Sequence, residues 1–87
     1  MPRGQADPVA QLAGRLAADV TRLRLARQLS QAELARLCGT TQSAIARLER
    51  GSRPPRLDTL ARIAEALDCS LDVGLSPRIA LPGGNDD

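Results

Sequence analysis

The side chains best suited to chemistry lie close together in residues 42–50, QSAIARLER. If this stretch is helical, the face turned away from Ile45 carries amide, hydroxyl and guanidinium groups around a small alanine, from Gln42, Ser43, Ala46, Arg47 and Arg50. Gln can form two hydrogen bonds with adenine and Arg two with guanine in the major groove, while Ala can contact a thymine methyl group. The pattern therefore predicts a base-reading helix, with a merely solvated polar face as the alternative.

Composition excludes most other chemistry. The 87 residues include no His, Phe, Tyr or Trp, and all twelve basic residues are Arg. Without His there is no imidazole base and no Ser-His or Cys-His nucleophile pair, so we expect no enzyme. Without aromatic rings there is no platform for stacking unpaired bases. The net charge of +2 permits nucleic-acid binding without proving it.

The two cysteines do not indicate a metal or redox site. Cys38 and Cys69 lie outside any CxxC pattern, so we expect buried thiols, no metal and no cofactor. No apolar run resembles a signal sequence or approaches the roughly 20 residues of a membrane span, which predicts a cytoplasmic protein without a membrane partner.

Cap residues and apolar spacing predict four helices. The first opens at Asp7-Pro8 and runs to about Arg27, on the stripe Val9, Leu12, Leu16, Val20 and Leu23. A capping box, Ser30 with Glu33, opens a short second helix that ends at Gly39 and whose apolar face is Leu34, Leu37 and Cys38. Thr41 caps the third helix, which ends at Gly51, and a fourth runs from Leu57 or Asp58 to about Asp68. Two short helices joined through a glycine turn have the spacing of a helix-turn-helix.

Glu49 falls near the inward side of the third helix, where an unpaired carboxylate is costly. We expect it to pair with Arg24, late in the first helix, and so to hold the two helices together. The alternative is an exposed Glu49 that pairs with Arg53 or with nothing.

The period changes after the fourth helix. Leu71, Val73 and Leu75 alternate with polar or small residues, which is typical of a short half-buried strand. A lone strand has unpaired edges, so we expect it to pair with the same strand of a second chain; a fraying coil is the alternative. The predicted fold is all-α, a compact four-helix core with a C-terminal β-strand. Its parts are a tail (1–6), a helix-turn-helix domain (7–68), a dimerisation segment (69–76) and a second tail (77–87).

Two segments, residues 29–51 and 57–71, resemble the Cro/phage-repressor (XRE-type) helix-turn-helix family. The resemblance implies base contacts from Gln42, Ser43, Ala46 and Arg47. It implies phosphate contacts from Gln31, Thr41, Arg50, Ser52 and Arg53. One position departs from the family, because Arg50 stands before Gly51 where Asn is frequent.

The C-terminal strand is most similar to that of HipB- and HigA-type antitoxin repressors. The resemblance therefore implies a homodimeric repressor of a palindromic operator in double-stranded DNA, and beyond that an autoregulating antitoxin with a cognate protein toxin. Two alternatives stay open. One is a module that binds a toxin or kinase without a specific role on DNA, and the other is a regulator of the phage or restriction-controller type.

Overall fold

A computed structural model of the chain describes residues 7–78, which contain four helices. These are α1 (Pro8–Ala26), α2 (Gln31–Cys38), α3 (Gln42–Arg50) and α4 (Leu57–Ala66). The all-helical part of the predicted fold is confirmed, and α3 has the predicted bounds. The two predicted tails, 1–6 and most of 77–87, lie outside the described residues.

The helix ends are set by local hydrogen bonds. Ser30 Oγ accepts from the Glu33 N–H at 3.0 Å, and Glu33 Oε1 accepts from the Ser30 N–H at 2.8 Å. Thr41 Oγ1 accepts from the Ala44 N–H at 3.1 Å. Gly39 and Gly51 end α2 and α3 with φ of 71° and 76°. Because each of these devices involves only near neighbours in the chain, the sequence predicts them correctly.

The core lies where all four helices meet. Leu34 and Ile45 are its largest fully buried side chains, and its buried cluster comprises Val20, Leu34, Ala35, Cys38, Ile45, Leu48, Ile63 and Leu67. On α2, Ala35 takes an inward position, whereas Leu37 is 60% exposed, so the predicted apolar face of α2 was wrong at Leu37.

The first half of α1 also differs from its predicted packing. Val9 and Leu12 are 53% and 47% exposed, whereas Ala13 and Ala17 are buried. Small residues are inward because the end of α3 comes very close to α1. A Cβ atom on Gly51 would lie 3.2 Å from the Ala17 Cβ.

Residues 69–78 form neither helix nor strand in the described chain. Their apolar side chains Leu71, Val73 and Leu75 are 38%, 66% and 104% exposed. A strand forms by hydrogen bonding to a neighbour, and a single chain offers this segment none. The predicted strand and its pairing across a dimer therefore remain a prediction.

Gly14, Gly39 and Gly51 give a graded test of this packing. We expect Gly51→Ala to lower the free energy of unfolding by about 2 kcal/mol or more, because left-handed backbone strain adds to the tight approach of Ala17. At Gly39 an added Cβ meets open space but the left-handed backbone is strained, so Gly39→Ala should lower the free energy of unfolding by about 1 kcal/mol. Gly14, in mid-helix with open space, should gain about 0.5–1 kcal/mol as Ala. Urea unfolding measures all three, and equal losses for Gly39→Ala and Gly51→Ala would contradict the close approach.

Candidate nucleic-acid interface

Helix α3 has one buried face and one exposed face. Ile45 and Leu48 are 1% and 7% exposed and belong to the core. Gln42, Ser43 and Arg47 are exposed, as is Arg50 at the end of the helix, while Ala46 is half-buried. The structure thus places the predicted base-contacting side chains together on the open side of α3, where no described segment covers them.

The orientation of α3 is held by a buried ion pair. Arg24 Nε donates to Glu49 Oε2 at 2.7 Å and Arg24 Nη2 donates to Glu49 Oε1 at 3.0 Å. The two side chains are only 10% and 7% exposed. Arg24 Nη1 also donates to the Leu29 carbonyl oxygen at 2.7 Å, which ties α1 to the loop before α2. This two-pronged geometry fixes the direction of both side chains, so it sets the register between α1 and α3.

Gln31 joins the same network from the start of α2. Its amide Nε2 donates to Glu49 Oε1 at 3.0 Å, and the side chain is half-buried. The resemblance assigns Gln31 to phosphate; in the free chain its amide nitrogen is bound to Glu49. One carboxylate therefore connects α1, α2 and α3, and Gln31 lies between the ion pair and the surface.

The network shifts the pKa of both partners. Burial alone would raise the pKa of Glu49, but hydrogen bonds from Arg24 and Gln31 outweigh it and hold that pKa below its usual range. The hydrogen bond with Glu49 raises the pKa of Arg24. Glu49 is therefore ionised at neutral pH, and its charge stabilises the fold.

A lowered pKa makes the stability depend on pH. The contribution of Glu49 is present above the pKa of an unfolded Glu, about 4.3, and is lost as pH falls through the lower folded pKa. We expect Glu49→Gln to be less stable than the wild type at pH 7 and to lose less stability between pH 5 and pH 3. Some slope should remain, because backbone hydrogen bonding at Ser30 lowers the pKa of Glu33 as well. Urea titrations at several pH values test this, and identical slopes for the two proteins would contradict it.

The residues assigned to phosphate flank α3 at both ends. Thr41 caps its start, and its side-chain oxygen accepts from the Ala44 N–H. Arg50, Ser52 and Arg53 follow its end and are exposed. These residues are therefore next to α3 in the chain, one before it and three at or after its end.

Sequence reasoning missed one arginine. A groove of about 330 Å³ lies between the second half of α3, the loop after it and the start of α4, and its lining includes Arg47, Arg53 and Arg56. Arg56 is exposed and directly precedes α4. Its nearest carboxylate, Asp58, lies 3.4 Å away. The signal was the run RPPR, in which two conformationally rigid prolines separate Arg53 from Arg56.

The described residues 7–78 contain no cluster of three or more potential metal ligands. In the same part of the chain, no helix combines the length and apolarity that crossing a membrane requires. Cys38 is buried, and burial raises the pKa of its thiol. Cys69 is only half-buried, so the prediction of two buried thiols was wrong for Cys69.

Comparison with known proteins adds to this geometry. A model of the helix-turn-helix family HTH_3 matches residues 20–73. An uncharacterized HTH-type transcriptional regulator, y4dL of Sinorhizobium fredii, is 42% identical over 59 residues, which are 68% of this chain and 29% of that protein. The chain thus spans under a third of the length of this curated relative.

Two solved structures have similar folds. The restriction-modification controller protein C.AhdI from Aeromonas hydrophila has 31% identity and a TM-score of 0.69, over 74% of this chain and 93% of that one. An HTH_3 family transcriptional regulator from Vibrio cholerae has 31% identity and a TM-score of 0.67, over 70% of this chain and 34% of that one. The similarity to the controller protein therefore covers about three quarters of this chain and nearly the full length of that protein.

Proposed function

The chain belongs to the helix-turn-helix family, and from this premise we propose that it is a transcriptional repressor that binds double-stranded DNA sequence-specifically. One observation carries the proposal. The polar face of α3 is exposed along Gln42, Ser43 and Arg47, while its opposite face is anchored in the core through Ile45 and Leu48. A helix held in this way can enter the major groove without unfolding any other part of the molecule.

The side chains fall into two groups, one that contacts bases and one that contacts phosphate. Gln42, Ser43, Ala46 and Arg47 read base edges, because they carry the hydrogen-bond donors, acceptors and methyl group that match base edges in the major groove. Thr41, Arg50, Ser52 and Arg53 contact phosphate and set the position of α3 along the duplex. Gln31 contributes from the start of α2, where its amide nitrogen donates one hydrogen to Glu49 and has a second for a phosphate oxygen.

The protein acts on DNA as a homodimer. Two copies related by a two-fold axis match a palindromic operator whose half-sites lie about one helical turn, 10 base pairs, apart. The dimer contact lies in residues 71–75, where the exposed Leu71, Val73 and Leu75 gain a neighbouring strand from the second copy. The exposure of these side chains in a single chain supports this assignment.

Two finer roles are compatible with such a repressor. The first is an autoregulating antitoxin that also binds a cognate protein toxin; its support is the alternating segment at residues 71–75. The second is the controller of a restriction-modification system, favoured by the similarity to C.AhdI over 93% of that protein. The gene beside this one distinguishes the two roles, since it would encode a toxin in the first case and a restriction or modification enzyme in the second.

The test of DNA recognition is selection of binding sites from random duplex DNA by the purified chain. We expect enrichment of two inverted half-sites at a fixed spacing of about one helical turn. A chain that enriches no sequence, yet binds a neighbouring toxin or kinase tightly, would contradict the repressor and favour the interaction module.

A further inference from the structure

A shallow apolar groove lies on a side of the molecule that the DNA-binding proposal does not use. It has a volume of about 100 Å³ and runs between α1 and α4. Its lining includes Leu16 and Leu23 of α1, Leu60 and Ala64 of α4, and Leu71 of the following segment. No lining residue comes from α3 or the loop after it, so a partner in this groove leaves the DNA-reading face free.

The groove is part of a larger apolar surface. Leu16 lines it and also continues the stripe of Val9 and Leu12, which are half-exposed on the same face of α1. Leu71 lines its other end and begins the exposed segment that carries Val73 and Leu75. Exposed apolar side chains on both sides of an apolar groove are typical of an interaction site.

The chemistry of the surface favours an apolar extended partner. Asp19 is the only charged residue in the lining, and it already pairs with Arg22 at 3.1 Å. The groove follows α4, whose ten residues span about 15 Å. An extended segment of five residues spans about 17 Å and presents alternate side chains to one side. Residues 71–75 have that length and that alternation.

We propose that residues 71–75 of one chain lie in the α1–α4 groove of a second copy of the same chain, beside its Val9–Leu12–Leu16 stripe. Within one chain, residues 72–78 are exposed and leave the groove behind. Each copy supplies one groove and one segment, so in a symmetric dimer each segment fills the groove of the other copy.

This inference rests on the dimer in the proposed function. It adds that the side chains of residues 71–75 pack in the α1–α4 groove of the second copy. The backbone edge of each segment stays available for pairing with its symmetry mate, so groove docking and strand pairing are separate contacts. They can be tested separately.

The first test compares leucines that are similarly exposed. Leu12 is 47% exposed on the proposed surface, and Leu25 is 58% exposed on the opposite side of α1. We expect Leu12→Glu to weaken the dimer at least about tenfold in sedimentation equilibrium and Leu25→Glu to leave it unchanged. Circular dichroism verifies that both variants fold. Equal effects of the two substitutions, or a wild type that stays monomeric at millimolar concentration, would overturn the proposal.

The second test locates the segment directly. A nitroxide at Ser76→Cys, in a Cys69→Ser background, lies off the apolar edge of the segment; it is mixed with ¹⁵N-labelled chains that carry no nitroxide. We expect the amide signals of Leu16, Leu60 and Ala64 to broaden in the ¹⁵N chains, which reports contact between chains only. Broadening confined to residues 71–78 of the ¹⁵N chains, or found only when one chain carries both labels, would overturn groove docking. Specific binding of the selected duplex, measured on the same samples, shows whether the DNA-binding proposal stands in either case.

Discussion

Arg24→Ala should lower the stability of this protein far more than any surface substitution. The variant leaves the Glu49 carboxylate 7% exposed with no cation, and it removes the donor to the Leu29 carbonyl oxygen. Breaking a buried pair on one side typically costs about 3–5 kcal/mol. For a domain of this size that corresponds to a fall in melting temperature of at least about 12 °C. Thermal and urea unfolding monitored by circular dichroism measure both quantities.

The matched control lies two residues earlier. Arg22 pairs with Asp19 at 3.1 Å, but both side chains are more than half exposed, so Arg22→Ala should cost less than about 1 kcal/mol. A second comparison replaces the whole pair with apolar residues, Arg24→Leu with Glu49→Leu, and should recover most of the lost stability, because no unpaired charge then remains. A melting temperature for Arg24→Ala equal to that of Arg22→Ala would show that the pair does not hold α1 to α3.

Arg47→Ala is expected to have the largest effect on DNA binding. Arg47 is exposed on α3 and lines the groove beside Arg53 and Arg56. A two-pronged contact with guanine contributes about 1–3 kcal/mol of discrimination. Because a dimer carries two such contacts, the affinity for the selected site should fall by about 30-fold or more. Fluorescence anisotropy on selected and scrambled duplexes measures the loss, and the variant should fold normally since the side chain is outside the core.

Arg53→Ala is the contrasting variant for this experiment. We expect it to weaken selected and scrambled DNA equally and to make log Kd depend less steeply on log salt concentration, as loss of a phosphate contact does. Arg47→Ala should instead reduce the preference between the two duplexes. If Arg47→Ala left that preference intact, Arg47 would not be a base-reading residue.

What the sequence predicts well in this protein depends on near neighbours. Ser30 with Glu33, Thr41 and Gly51 define helix ends through groups within a few residues, and the structure has each of them in its predicted place. Arg24 and Glu49 are 25 residues apart, yet their pairing was predictable, because few cations can reach a buried carboxylate on the inner side of α3.

The sequence predicts less well what covers each apolar residue. The spacing of Val9 and Leu12 identifies a face of α1, but whether that face meets the core or solvent depends on Gly51 and Ala17, which bring α3 against small residues instead. Arg56 joins Arg47 only through the fold of the RPPR loop. Residues 71–75 form neither helix nor strand in a single copy, so their pairing as a strand stays a prediction.

The most direct measurement is the affinity of the wild-type chain for its selected duplex and for a scrambled duplex of the same length, at physiological salt. A base-reading α3 predicts at least a roughly thousandfold preference for the selected sequence. Equal affinities, with both falling steeply as salt increases, would mean that the protein holds only the phosphate backbone and that the open face of α3 reads no sequence.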